Sequence, residues 1–429
     1  MPIHNAFAFA APLGTAGQLD SSFASSGKAW LQFAGSLSSM ANDVAVDSMG
    51  RLLVAAKVGA WDGYCYGLAR LLENGSADRS FGTDGSITGQ FESGFEATGG
   101  KVKELSDGRI LLSGLHYESP HRTLPALAMF DSDGHPVLQF GDRGVQIVRL
   151  PGDLSRGLRD DWLPPGVPGA EACDFQVQAD GRILLLANHH YEFADHVGIL
   201  IRLNPDGTLD ETFNGHGFVM VRHLLMNTWL SSLLVQADGQ IVVAGSINLP
   251  QEGLLARFDS TGRLDEDFAE DGFLSFKIQD RSAQVSQVIE QTDGRLQCFG
   301  SSRDPMQCLS LIVRKNGRPD THCNSGHARL IEIGNSGCHW TAAQVLADGR
   351  VLSVGATVGG IAADFLLARY LPDGRLDRHF ANGQGYVRTR LGRSLDTATS
   401  LAVQADGRIV VSGYSLDGHY RAVLVRYLG

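Results

Sequence analysis

The chain has few of the features that mark the common enzyme classes. It has no Gly-x-Ser-x-Gly elbow, phosphate-binding loop or dinucleotide fingerprint, which excludes the usual nucleophile turns and nucleotide cradles. Six cysteines, at 65, 173, 298, 308, 323 and 338, form no CxxC and no disulfide framework. Cys298 aligns with Val243 of another repeat, so buried free thiols in a reducing compartment are expected. No apolar run approaches the ~20 residues that a membrane-spanning helix needs. The N-terminal stretch MPIHNAFAFAAPLGTAGQ has no Lys or Arg before its apolar part and is a poor export signal, so a cytoplasmic location is expected, with export as the alternative. Basic residues are outnumbered, 36 against 47, and the net charge of −11 argues against a nucleic-acid partner. An amphipathic helix of ten or more residues is also lacking.

The chain is instead rich in glycine, 52 residues in 429, and it repeats. An Asp-Gly-Arg turn or a near variant recurs at Gly50, Gly108, Gly181, Gly239, Gly294, Gly349 and Gly407, with steps of 58, 73, 58, 55, 55 and 58 residues. Asp-Gly between apolar runs is a hairpin signal, because the turn needs positive φ. Each unit reads as four short strands. Gly217–Arg222, Leu233–Gly239, Gln240–Gly245 and Gly253–Phe258 show the pattern. Four strands per unit, seven times over, predict an all-β seven-bladed propeller of four-stranded antiparallel blades. The domain spans residues 19–429 after a tail of 1–18, with a loop insertion at about 150–170.

A second motif bears on whether the ring closes. Arg70, Arg202, Arg257, Arg314, Arg369 and Arg426 stand on the fourth strands. Asp78, Asp210, Asp265, Asp320 and Asp377 follow in the next turn. All but one are followed by a Phe three residues on; Asp320 is followed by Cys323. One copy has Met129 and Val137 in place of both charges. Losing both partners together is what an ion pair predicts, since removing one partner of a buried pair costs roughly 3–5 kcal/mol and replacing both can be neutral. Asp20 has no Arg upstream and Arg426 no Asp downstream. Closure would pair them and set the strand near Lys28–Phe33 beside Ala422–Tyr427, removing exposed sheet edges.

The pattern resembles the bacterial delta-60 repeat. Leu209–Phe213, Val403–Ile409 and Leu367–Asp377 carry the likeness, and Met49, Met129 with Val137, and Cys323 depart from it. The resemblance implies a repeated β architecture and carries no catalytic residues.

Function is expected where the symmetry breaks. From the glycine that starts the first strand to the next turn glycine is 22 or 23 residues in six units but 37 in one, Gly144 to Gly181. A meander puts this insertion on one face with the first-to-second and third-to-fourth connections, opposite the Asp-Gly and Arg/Asp turns. Trp61, Asp62, His116, Asp160, Asp161, Trp162, His189, His190, Trp229 and Trp340 are the candidate ligand-binding residues of that face. Aromatic rings with nearby carboxylates suit a sugar or a peptide. The expected role is therefore a non-enzymatic binding module for a protein or carbohydrate ligand. The alternative is a hydrolase or lyase with its site in the central funnel. No metal and no cofactor is expected. The histidines lack ligand spacing, His322, Cys323, His327, Cys338 and His339 fall in different turns, and Asp131–Gly134 lacks a full calcium loop.

Overall fold

The structure, a computed structural model, describes residues 15–61, 63–119, 122–150, 174–190, 196–224, 227–247, 252–334, 336–359 and 362–429. The candidates Asp62, Asp160, Asp161 and Trp162 lie outside the described residues. Seven four-stranded antiparallel sheets form a β-propeller.

The first strand, β1 (Lys28–Trp30), belongs to the last blade. Blade 1 comprises β2 (Ser38–Val46), β3 (Leu52–Ala60), β4 (Gly63–Leu71) and β5 (Ser86–Gly89). Blade 2 comprises β6 (Glu96–Glu104), β7 (Ile110–Ser119), β8 (Arg122–Phe130) and β9 (Val145–Ile147). Blade 3 holds β10 (Phe175–Val177), β11 (Ile183–His190), β12 (His196–Leu203) and β13 (Phe218–Val221). Blade 4 holds β14 (Thr228–Val235), β15 (Ile241–Ile247), β16 (Glu252–Phe258) and β17 (Phe273–Phe276). In blade 5 are β18 (Ala283–Glu290), β19 (Leu296–Ser302), β20 (Gln307–Val313) and β21 (Arg329–Ile331). In blade 6 are β22 (Gly337–Val345), β23 (Val351–Val358), β24 (Phe365–Tyr370) and β25 (Tyr386–Thr389). Blade 7 is β26 (Leu395–Val403), β27 (Ile409–Asp417) and β28 (His419–Tyr427), completed by β1.

Each repeat is offset from the blades by one strand. The strand that follows the motif glycine is the outermost strand of the preceding blade, and the strand that enters the Asp-Gly turn is the innermost. Innermost strands of neighbouring blades pack on one another around a central channel. β1 closes the ring, with Lys28 opposite Val425 and Trp30 opposite Val423. Residues before it are tied down as well, since the Gly17 N–H donates to the Leu428 carbonyl at 2.8 Å.

Nearly every innermost strand carries a β-bulge, which places one extra residue on it and reverses its alternation of faces. The register slips between Ala41 and Asp43, Leu230 and Ser232, Val285 and Gln287, Trp340 and Ala342, and Ala398 and Ser400, with a related slip between Gly99 and Val102. Core clusters record the reversal. Trp340, before its bulge, packs with Ala343 and Val345 after it, although their parities differ. Seven such clusters fill the spaces in and between the blades.

The turns interlock neighbouring blades. Phe23, Phe213 and Phe268 each lie on a glycine of the next blade's turn, where a Cβ on Gly75, Gly262 or Gly317 would come within 2.6–2.8 Å of the ring. Those glycines also hold positive φ, so geometry and contact both require them. Blade crossovers and third-strand hairpins share one end of the channel, here called the loop face. The other end is the turn face.

Candidate functional site

The turn face carries a repeated set of Arg–Asp ion pairs. Arg70, Arg202, Arg257 and Arg369 direct Nε to the carboxylates of Asp78, Asp210, Asp265 and Asp377 at 2.7–2.8 Å. Across the closure, Arg426 Nη2 stands 2.8 Å from Asp20 Oδ2. Each of these guanidiniums also covers the motif Phe, with 4.4–4.7 Å to the ring centroid. Several bridge blades. Arg202 donates to the Ser260 carbonyl, Arg257 to that of Lys315 and Arg426 to that of Glu73, at 2.5–2.7 Å.

A second arginine, from the Asp-Gly-Arg turn, reaches several of the same carboxylates, and sequence reasoning missed it. Arg51, Arg182, Arg350 and Arg408 stand 2.8–3.6 Å from Asp78, Asp210, Asp377 and Asp20. Burial opposes ionisation of Asp210. Hydrogen bonds from Thr212 and Arg182 and the charge of Arg202 outweigh it and lower its pKa to about 2.

Two copies differ. In blade 2 Met129 and Val137 keep the turn's backbone hydrogen bond at 2.9 Å without any charge. In blade 5 the expected Arg314–Asp320 pair is present, but Arg314 is not on the fourth strand. It lies one residue beyond β20, half exposed, with Nε 3.5 Å from Asp320. Ile312, opposite Gln297, fills the strand position that Arg257 takes opposite Val242. The turn residue Arg295 is the closer partner of Asp320, at 3.2 Å.

The loop face is irregular. Trp61 sits at the β3–β4 hairpin and is 89% exposed. Tyr64 follows it, 43% exposed, with Lys57 Nζ 4.3 Å from its ring centroid. On the adjoining blade 7, exposed Tyr420 meets Tyr414 edge-on at 5.5 Å, and Arg421 stacks on Trp30 at 4.4 Å. Leu37 and Leu395 are exposed on the same two blades.

Other candidates are not displayed there. Trp229 and Trp340 reach that end of their strands but are buried between blades, against His196 and Tyr370 respectively. Both precede their bulges, so alternation counted back from the Asp-Gly turn assigns them the wrong side. His116 is also buried, beneath Phe95. Burial lowers its pKa and keeps it neutral, with a carboxylate oxygen of Glu92 at 3.7 Å. His189 is buried within β11, and His190 ends that strand.

The channel contains a polar cluster that the sequence reading did not single out. Seven positions before each turn glycine stand Asp43, Lys101, Asp174, Ser232, Gln287, Ala342 and Ser400. This position links blades. Asp43 accepts the Val102 N–H at 3.0 Å, Asp174 that of Leu233 at 2.8 Å, Ser232 that of Val288 at 3.2 Å and Gln287 that of Ala343 at 2.7 Å. Lys101 cannot accept. Its ammonium stands 3.5 Å from Asp43 Oδ1. Burial alone would lower the pKa of Lys101, but the charges of Asp43 and Asp174 prevail and raise it. Burial raises the pKa of Asp174, against the pull of Lys101. A cavity of about 310 Å³ lies among these residues. The fixed offset from the turn glycine was the available signal.

Among the described residues no helix is long and apolar enough to cross a membrane, and no group of three or more His, Cys, Asp or Glu side chains is arranged to hold a metal ion.

Four segments, 178–213, 236–268, 346–380 and 404–428, match the family described as "Domain of unknown function (DUF5122) beta-propeller". The unmatched repeats include those with Met49, with Met129 and Val137, and with Cys323. No curated protein sequence matches the chain. Solved structures resemble it at low identity. A protein of unknown function from Dyadobacter fermentans DSM 18053 is 10% identical, with a TM-score of 0.48 over 94% of this chain and 98% of that one. The polysaccharide lyase Uly1 is 10% identical, with a TM-score of 0.46 over 94% and 92%. Chaetomium thermophilum Sqt1, bound to the N-terminus of the ribosomal protein L10, is 12% identical, with a TM-score of 0.44 over 91% and 84%. These likenesses concern the fold and carry nothing on activity. The matched repeats and the seven closed sheets together place the chain among the β-propeller repeat proteins.

Proposed function

We propose that the protein is a non-enzymatic binding module that takes a carbohydrate ligand on the loop face of blades 7 and 1. One observation carries this reading. Trp61, Tyr64 and Tyr420 are exposed on two adjoining blades, interleaved with Lys57 and Arg421, while the motif arginines of the turn face are paired with carboxylates. Exposed rings among polar groups suit the alternating apolar and hydroxylated faces of a sugar. A protein partner would favour a broader continuous apolar patch.

The test is retention on a panel of immobilised polysaccharides. Trp61→Ala combined with Tyr64→Ala is expected to weaken retention at least ~10-fold, since a stacked aromatic contributes about 0.5–1.5 kcal/mol beyond its buried area. The melting temperature should hardly change. Unaltered retention in the double variant, or no retention of any polysaccharide by the wild type, would overturn the reading. The alternative, a hydrolase or lyase in the funnel, draws support from Asp174, whose raised pKa suits a proton donor. Against it, backbone N–H groups already hold the carboxylates of both Asp43 and Asp174.

A further inference from the structure

Two polar levels face the channel cavity. The upper holds Asp43, Lys101 and Asp174 and carries a net charge of −1 when all three are ionised. The lower lies two residues further along the strands, about 6.6–6.8 Å on by strand rise. There Lys103, Gln176 and Gln344 line the same cavity. Lys103 differs from every charged group of the upper level. Lys101 has Asp43 beside it, and the carboxylates have backbone donors. Among the described residues Lys103 has no carboxylate partner and no hydrogen bond, and neither do the side-chain amides of Gln176 and Gln344. Lys103 lines the cavity and is exposed to solvent, and partial desolvation lowers its pKa.

The four charges sum to zero but are separated along the channel axis, negative above and positive below. Such a field orients a dipolar guest and gives little net attraction to a simple cation or anion. The cavity, about 310 Å³, lies at the lower end of the range for small-molecule sites. We propose that the channel binds a small zwitterion, an α-amino acid, with its carboxylate on Lys103 and its ammonium on the carboxylates of Asp43 and Asp174. Gln176 and Gln344 have amides free to bond the carboxylate or a polar side chain. The site is independent of the loop-face aromatics.

Isothermal titration calorimetry with the twenty common L-amino acids tests the proposal, using propionate and ethylamine as halves of L-alanine. At least one amino acid is expected to bind, and each half to bind at least ~10-fold more weakly, the loss expected for one charge-assisted hydrogen bond. Lys103→Gln should weaken binding by a similar factor without moving the melting temperature of the ligand-free protein, because this side chain holds nothing in place. Trp61→Ala should leave amino-acid binding unchanged. The proposal fails if no amino acid binds at millimolar concentration, if Lys103→Gln binds as well as wild type, or if propionate matches the amino acid.

Discussion

Replacing Asp20 with Val should open the ring at its seam. Asp20 Oδ2 receives Arg426 Nε at 2.9 Å and Nη2 at 2.8 Å, and Arg408 Nε stands 2.8 Å away. Without this carboxylate, Arg426 keeps its bonds to the Glu73 carbonyl at 2.7 Å and to Gln404 at 3.1 Å but loses its counter-charge. It is 4% exposed and cannot recover its hydration. An uncompensated buried charge costs roughly 3–5 kcal/mol, and the nearby Arg408 adds repulsion, so a loss of about 4 kcal/mol is expected. That is a large share of the ~5–15 kcal/mol that holds a typical domain together. A ring of seven blades need not unfold in one step, so local opening is the better measure. Hydrogen exchange in β1 and β28 should accelerate by about a thousandfold, the equivalent of 4 kcal/mol. Blade 2 supplies the control, because it carries Met129 and Val137 at the same two positions. Asp20→Val combined with Arg426→Met should restore most of the protection. A residue of about 1 kcal/mol should remain, because Ser22 N–H and its hydroxyl also lose their acceptor. Exchange within tenfold of wild type in the single variant, or equal exchange in single and double variants, would refute the reasoning.

The reverse graft is equally direct. Met129→Arg alone should destabilise by about 3–5 kcal/mol, and adding Val137→Asp should recover most of it in thermal or denaturant unfolding. Equal losses in the two variants would show that blade 2 no longer has the geometry of its neighbours. Acid should unlock the turn face. Asp20, Asp78, Asp210, Asp320 and Asp377 all have pKa values lowered below 3.8, with Asp210 and Asp320 at about 2. A carboxylate depressed in the folded state stabilises it fully above its unfolded pKa, and that stability fades as pH falls through the folded value. Stability should therefore be flat from these groups above about pH 5 and fall between about pH 4 and pH 2, as followed by circular dichroism. A flat profile down to pH 2 would contradict the assigned pairs.

The sequence alone determined what repetition makes visible. The Asp-Gly turns, the strand lengths and the joint loss of charge at Met129 and Val137 follow from interactions repeated around the ring, so one chain supplies several instances of each. Closure was legible for the same reason, because Asp20 and Arg426 were left over from a pattern that otherwise pairs. The fold alone decided which way each side chain points. Strand residues alternate faces, and a bulge in the innermost strand reverses that alternation at a place with no fixed residue type: Asn42, Ser231, Ser286, Thr341 and Thr399 occupy it. Trp229 and Trp340 are buried for that reason, whereas Trp61 lies at a hairpin tip and stays exposed. Arg314 pairs with Asp320 from one step past the strand end, where a shortened turn puts it, and only the register shows Ile312 at the strand position. The polar channel levels were hidden because they exist only when seven innermost strands meet. Lys101 and Lys103 are ordinary lysines in the sequence, and among the described residues the neighbouring blade gives Lys101 the carboxylate of Asp43 and Lys103 none.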